Sequence, residues 1–434
     1  DLQEIFGEST QSADGEVNMR FLLLSVLQIL SLLSEEVVER NNADYFPDYS
    51  YYHDLKGYRK DLLHICKQNR DIIKLEEARG RSNFGHPLDL LKISDFDPSN
   101  PGNLPQSRKK QILLTFGEHA REFVSVESFF FLLKNLTDGF RQPSYTYAGQ
   151  FSRFVLQHLE IHMVGLMNPD GRQVLEDEKD FCWRTNGRGV DINRNADWTY
   201  GGPGSNQEKN SEENRGKFVW SEPEAAFFRD LSLEFDYLAY FSLHSGERQI
   251  FVPFVDSDSK ARKRTRPTTA QEVALAAHML RAADGWFRNS GIAYDFNSYY
   301  ADGTLFDWIA GKRNITYSIC AEIWGGPYAE NCFVQFNPEN EQLVADLLKI
   351  HALYWSGFLY LIGKDLGVAY VQGRGLQEVV PHSLVTNKNV VVKKPLKIHQ
   401  PTTVRQSLLQ KLSELTAGFM DINSQILSYA SHSY

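Results

Sequence analysis

Apolar residues along this chain follow two different periods, and the alternation between them sets the expected fold class. Gln111-Ile-Leu-Leu-Thr-Phe116, Leu159-Glu-Ile-His-Met-Val-Gly-Leu166, Tyr237-Leu-Ala-Tyr-Phe-Ser242 and Ile315-Thr-Tyr-Ser-Ile-Cys-Ala321 have the length of strands and are apolar on both faces. Between them the spacing turns helical. Tyr51, Leu55, Tyr58, Leu62, Leu63 and Cys66 share one face over 51–69, and an apolar helix pattern follows Glu122. Further helices are predicted from Ser221 to Glu234 and from about Glu339 to Leu361. Ser221-Glu-Pro-Glu224 puts proline and carboxylates in a first helical turn, where they suit the unpaired amides and the dipole. Strands buried on both faces and set between helices predict an α/β protein, an α/β/α sandwich around a mixed, mostly parallel sheet. The polar, Gly-rich stretches 186–220 and 255–268 are too long for plain connections and are expected to be irregular loops that shape a cleft.

The ends depart from this pattern. Met19-Arg20 and the apolar run Phe21–Leu33 have the charged start and apolar middle of a secretory signal, too short to span a bilayer comfortably. Polar residues ahead of Met19, and no small-x-small site after the run, leave an amphipathic leader as the other reading. Beyond 363, Val390-Val-Val-Lys-Lys394 has strand character and Val404 to Met420 has helical spacing, which suggests an appended packing element. The 434 residues therefore divide into a leader (1–43, with the signal segment at 19–33), one large domain (44–363) and a C-terminal extension of unknown role (364–434). Charge narrows the function classes: 46 basic against 55 acidic residues give −9 without long like-charge blocks, which argues against nucleic-acid binding. Aromatics, at 13%, suffice to line a cleft as well as a core. Two glycosylation sequons, Asn135-Leu-Thr137 and Asn314-Ile-Thr316, accord with a secretory route.

The strand at 111–116 delivers the chain into Gly-Glu-His119-Ala-Arg121-Glu122. A His and a Glu three apart can close on one ion without stretching the backbone, and a zinc hydrolase needs one more ligand from far along the chain. Ser242-Leu-His244-Ser-Gly246 offers it at a strand end, where α/β folds place their sites. Taken singly each is weak: H-x-x-E is a short motif, and a histidine after a strand is usually a core residue. Glu322 sits at the end of an apolar strand, where an acid is costly unless it is functional or paired.

In order along the chain these segments are joined by Met167-Asn-Pro-Asp-Gly171, Cys182-Trp-Arg184-Thr-Asn-Gly-Arg188-Gly-Val-Asp-Ile-Asn193-Arg194-Asn195, Tyr317-Ser-Ile-Cys-Ala-Glu322 and Cys332-Phe-Val-Gln-Phe-Asn-Pro338. Together they resemble the M14 zinc carboxypeptidases, closest to the plant-type carboxypeptidase A-like branch, from about Asp44 to about Gly363. The resemblance implies one Zn²⁺ per chain on His119, Glu122 and His244, the two-histidine, one-glutamate set of carboxypeptidase A. It implies Glu322 as the general base and Arg184 as the oxyanion arginine, with Asn193 and Arg194 clamping the substrate's terminal carboxylate. Arg121 falls in an outer subsite, and Tyr299, or its neighbour Tyr300, matches the mobile tyrosine. Phe306 holds the position that reads the terminal side chain, so an apolar pocket is expected, with Phe251 and Val255 as walls and Cys320 at the base. A slip of one residue would bring in Asp256 or Asp302 and favour basic ends instead.

The expected protein is a monomeric metallocarboxypeptidase of the secretory pathway, extracellular or vacuolar. It would act on peptide or protein C-termini, with no nucleic-acid partner and no stable membrane span. Two departures from the family pattern are a one-residue insertion between Trp308 and Glu322 and a tryptophan displaced to Trp198. Rival readings are a zinc amidohydrolase of the deacylase branch and a non-catalytic peptide-binding relative. The complete ligand, base and arginine set argues against the second, and the Asn193-Arg194 clamp with Tyr299 argues against the first. In this fold Cys182 and Cys332 both lie near the active-site rim, so a single bridge between them is one expectation and buried free thiols the other.

Overall fold

The computed structural model describes residues 47–326, 331–365 and the two short strands 368–371 and 375–378. The apolar run at 21–33 and the segments at 390–394 and 404–420 lie outside the described residues. An eight-stranded sheet runs through the middle of the described domain. Its strands are β1 (Ile73–Arg81), β2 (Pro87–Ile93), β3 (Lys110–Phe116), β4 (Leu159–Val164), β5 (Ala239–His244), β6 (Glu247–Val252), β7 (Asn289–Ile292) and β8 (Tyr317–Trp324), in the spatial order β1-β2-β4-β3-β5-β8-β6-β7. The central strands β4, β3, β5 and β8 are parallel, and antiparallel pairings join β2 to β4 and β6 to β8. This is the expected mixed sheet.

Strand alternation divides the interior in two. Ile112, Leu114 and Phe116 of β3, Phe241 and Leu243 of β5, and Ile319, Ala321 and Ile323 of β8 all point to one core. That core is completed by helices α1 (Leu55–Gln68), α2 (Phe123–Arg141), α3 (Tyr147–His158) and α4 (Pro169–Glu178). The opposite face takes Leu113 and Tyr240 together with α5 (Pro223–Glu234). Further along the chain come α6 (Ser257–Arg262), α7 (Thr269–Ala282), α8 (Ala293–Phe296), α9 (Leu305–Gly311), α10 (Cys332–Phe336) and α11 (Leu343–Asp365). Of these, α7 and α11 join the first core and α9 the second. The second face carries the polar alternates: Thr115, Ser242 and His244 are buried in or near it, and Glu322 is part-buried.

Several boundaries differ from the sequence reading, each for a physical reason. The first helix starts at Leu55 rather than near Tyr51, because the Asp54 side chain accepts the Gly57 amide and caps it. β8 continues past Glu322 to Trp324, held by antiparallel pairing of Glu247–Gln249 with Trp324–Glu322. The stretch 255–268, expected to be irregular, contains α6; its Ser-Asp-Ser-Lys-Ala-Arg sequence has no apolar period and is started by the Asp256 cap. The last helix begins at Leu343 after a 3₁₀ turn and runs to Asp365.

Gly117 turns the chain from β3 towards the candidate ligands at φ +61°, and a Cβ there would lie 2.8 Å from Leu166 Cδ1 and 2.9 Å from Val126 Cγ2. Gly117→Ala is therefore expected to cost about 1–3 kcal/mol, read as a lowered chemical-denaturation midpoint. A midpoint equal to that of the unmodified protein would show that the turn tolerates a side chain.

Candidate functional site

The carboxyl ends of three adjacent parallel strands converge here. β3 leads through Gly117 to Glu118 and His119, and Glu122 immediately precedes α2 without capping it through its side chain. β5 ends on His244, which lies in register with Glu322 of β8. His119, Glu122 and His244 are all buried, and one ligand atom from each falls within 4.8 Å of the others. His119 Nδ1 lies 2.6 Å from Glu122 Oε1, His244 Nδ1 lies 3.0 Å from Glu122 Oε2, and the two Nδ1 atoms are 3.2 Å apart. Two ligands each about 2.0–2.1 Å from a tetrahedral ion sit roughly 3.3 Å from one another, so this spacing fits zinc. The donor set fits it too.

Glu118, Glu122, Asp191 and Glu322 lie near or within the triad, with Arg184 and Arg194 among them. Burial would raise the Glu122 carboxyl, but the His119 and His244 charges outweigh it and hold Glu122 below the ordinary carboxylate range. Glu322 goes the other way: burial first, and repulsion from Glu122 second, push it up to about 8. Its Oε2 is buried without a hydrogen-bond partner.

Asp191 connects the ligands to the arginines. It receives Arg184 Nε at 3.1 Å and Nη2 at 2.9 Å on Oδ2, lies 3.6 Å from Arg194 Nη1, and faces His119 Nε2 at 3.3 Å through Oδ1. Burial alone would raise its carboxyl, yet Arg184, Arg194 and His119 hold it well below the usual range. With two of its nitrogens committed to Asp191, Arg184 keeps Nη1 beside the triad, 3.2 Å from His119 Nδ1. Arg194 donates to Gly204 O and Asn193 O, while Asn193 accepts the Leu305 amide and places Nδ2 3.3 Å from His244 Nε2.

Asparagines fix the ligand turn from both sides. Asn168, from the Met-Asn-Pro-Asp-Gly segment, caps α4 through Oδ1 and donates to Glu118 O and Thr185 O. Asn337, from the Cys332–Pro338 segment, accepts the Val124 amide and donates to Arg121 O. Arg121 stacks on the Phe336 ring at 4.1 Å and forks onto Glu212, with Nη1···Oε1 at 2.6 Å and Nη2···Oε2 at 2.9 Å. Cys182 and Cys332 form a disulfide that joins the Arg184 loop to α10, while Cys66 and Cys320 are free.

A cavity of about 240 Å³ opens beside the triad. His119, Glu122, His244, Glu322, Arg121, Arg184, Asn193, Arg194, Tyr299 and Phe306 all line it, so the structure brings together every residue singled out from the sequence. Tyr300, the alternative to Tyr299, is not among the lining residues. One wall is apolar: Phe251, Val255, Ala293, Ala301 and Phe306, with Cys320 beside them. The two acids that a register slip would have introduced are buried elsewhere. Asp256 accepts Trp198 Nε1 and the Ser259 amide, and Asp302 accepts the Gly204 amide and Ser257 Oγ. The displaced Trp198 thus has a structural place, stacked on Phe254 at 4.9 Å.

The family profile for zinc carboxypeptidases matches residues 59–346. This chain belongs to the M14 zinc carboxypeptidases. As a member of that family it is a metallocarboxypeptidase, a peptide hydrolase. Mouse (Mus musculus) carboxypeptidase A1 is 26% identical over 317 residues, covering 69% of this chain and 70% of that protein. Mouse carboxypeptidase B2 is 28% identical over 311 residues, covering 67% and 66%. The chain thus spans about two thirds of the length of these relatives. The crystal structure of thrombin-activatable fibrinolysis inhibitor superposes with a TM-score of 0.61 at 20% identity, over 76% of this chain and 80% of that one, which shows the shared fold.

Glu118, Asp191, Glu212 and Phe336 were not picked out by sequence reasoning. Asp191 lay inside a quoted motif, and Glu118 beside a proposed ligand, without a role. Non-reducing peptide mapping of this metallocarboxypeptidase should recover Cys182 joined to Cys332. Recovery of both as free, alkylatable thiols in the native protein would remove the bridge.

Proposed function

We propose that this protein is a zinc-dependent carboxypeptidase that removes single residues from the C-termini of peptides or proteins and prefers apolar or aromatic ends. One observation carries the catalytic part: the carboxylate of Glu322 stands beside the His-Glu-His triad without belonging to it, with one oxygen buried and unpartnered. A bound zinc ion supplies Lewis acidity, lowering the pKa of water and polarising a carbonyl. Glu322 then takes the proton from the attacking water and delivers it to the leaving amine. Arg184 offers Nη1 to the oxyanion of the tetrahedral intermediate, since Asp191 already fixes its other edge. Asn193 and Arg194 grip the terminal carboxylate, Tyr299 closes over it and Arg121 meets the peptide further out.

The apolar wall around Phe306 supports the specificity. A lysine end entering it would lose its hydration without a partner, and Asp256 and Asp302 are spent on backbone amides, Trp198 and Ser257. The catalytic unit is proposed to run over 44–363, between a leader and an extension. The disulfide, together with relatives of the carboxypeptidase A and B types, supports a secretory location. Among the described residues no helix is long and apolar enough to cross a membrane.

Glu322→Gln should keep one zinc per chain by metal analysis while kcat falls by roughly 10²–10⁴-fold, because the base is lost and no ligand is. His244→Ala should lose both metal and activity. Near-normal turnover in Glu322→Gln would defeat the mechanism. For specificity, Phe306→Asp should raise kcat/KM on Lys and Arg ends relative to Phe and Leu ends in a peptide set differing only at the last residue. If the unmodified enzyme already cuts terminal Arg faster than terminal Phe, the pocket assignment is wrong.

A further inference from the structure

Behind the metal triad lies a second carboxylate that the catalytic scheme leaves unused. Glu118 is completely buried, one residue before His119. Its Oε1 accepts three hydroxyls: Thr115 Oγ1 at 2.7 Å, Ser242 Oγ at 2.7 Å and Tyr240 OH at 3.0 Å. The cradle follows from sheet register, since Thr115 of β3 pairs with Ser242 of β5 and Tyr240 lies two residues earlier on the same face. Oε2 is buried with no hydrogen-bond partner among the described residues and lies 3.1 Å from His244 Nε2, a charge contact and not a formed hydrogen bond.

A second group competes for that nitrogen. The Asn193 side chain is fixed by accepting the Leu305 amide on Oδ1, which aims its amide nitrogen at His244 Nε2 from 3.3 Å. If Nε2 accepted from Asn193, the ring proton of the neutral imidazole would sit on Nδ1, and a protonated nitrogen is no ligand. Nδ1 is the atom that faces Glu122 and His119. Only with the proton on Nε2, donated to a carboxylate, is the Nδ1 lone pair free for a metal. A hydrogen bond to an ionised acceptor is roughly twice as strong as a neutral one, so a proton on Nε2 favours Glu118 over Asn193.

We propose that Glu118 is a positioning residue for the metal: held by three hydroxyls, it fixes the ring orientation and tautomer of His244 so that Nδ1 is presented as the ligand. Asp191 stands in the same relation to His119, but its charge is shared with Arg184 and Arg194. Among the described residues no arginine is paired with Glu118, whose charge contact is with His244. Its hold on the ring is therefore undivided, and metal affinity depends on it more directly. This inference rests on the triad being a zinc site.

The test uses the full-length chain freed of metal, with zinc affinity measured by competition against a chelating dye and the visible spectrum recorded after loading with Co²⁺. Glu118→Gln keeps the shape and an oxygen for the hydroxyls but removes the charge. It should bind zinc 10- to 100-fold more weakly, the usual effect of losing such an outer partner, with an altered Co²⁺ spectrum and an unchanged melting temperature of the metal-free form. Zinc affinity within twofold of the unmodified protein, with the same Co²⁺ spectrum, would overturn the proposal and leave Glu118 as an acceptor for three hydroxyls. If Glu118→Gln does not fold, the Thr115→Val, Ser242→Ala double variant loosens the cradle and should weaken zinc binding in the same direction; unchanged affinity there overturns the proposal equally. Failure of the unmodified chain to bind zinc is a different result, which removes the metal reading itself.

Discussion

The gathering of carboxyl groups where three strands end is the constraint around which the rest of this structure is arranged. Taking a carboxylate out of water costs several kcal/mol even after relaxation, unless a counter-charge or a full set of hydrogen bonds meets it. Each acid near the triad finds a different answer. Asp191 has two guanidinium groups, Glu118 has three hydroxyls and a ring nitrogen, and Glu122 has two imidazoles and the Ser245 amide. Glu322 has none of these, and its carboxyl is pushed up to about 8 in consequence.

The sheet makes this arrangement possible by using its two faces for different purposes. Along β3, β5 and β8, every second residue is apolar and packs under α2 and α11, while the intervening ones bring Thr115, Ser242, His244 and Glu322 into neighbouring positions. Because side-chain direction has a strict period of two, a register slip by one residue would expose the core and bury the ligands in it. Core packing and site geometry are therefore enforced by the same pairing. The asparagine ties at 168 and 337 then hold the turn that the strands cannot reach.

Much of this was legible in the linear sequence, and what was not has a common cause. His119, Glu122, His244 and Glu322 could be marked because each stands at the end of an apolar run, where a polar residue is conspicuous. The arginines could be marked only through the resemblance, since an arginine in a polar loop carries no signal of its own. Glu118 and Asp191 were passed over because their roles depend on distances across the fold: Thr115 pairs with Ser242 across the sheet, and Asp191 reaches His119 from 72 residues away. The same limit applied to secondary structure. The β1–β2 pair is antiparallel and its first strand, Ile73-Lys-Leu-Glu-Glu-Ala-Arg-Gly-Arg81, is too charged to show an apolar period, while the length of β8 is set by its partner β6.

Two acids buried outside the cavity, Asp256 and Asp302, bear on how the side-chain preference of such a site can change. Asp256 starts α6 and holds Trp198, and Asp302 holds the Gly204 turn, beside the Arg194 backbone on which Gly303 rests. Drafting either one as a counter-charge for lysine would undo a cap or a turn before any new substrate was gained. A preference for basic ends would instead call for a new acid on the apolar wall, at a position such as Phe306, which lines the cavity. Side-chain preference is thus open to change on the apolar wall, and closed at two acids already committed to a helix cap and a turn.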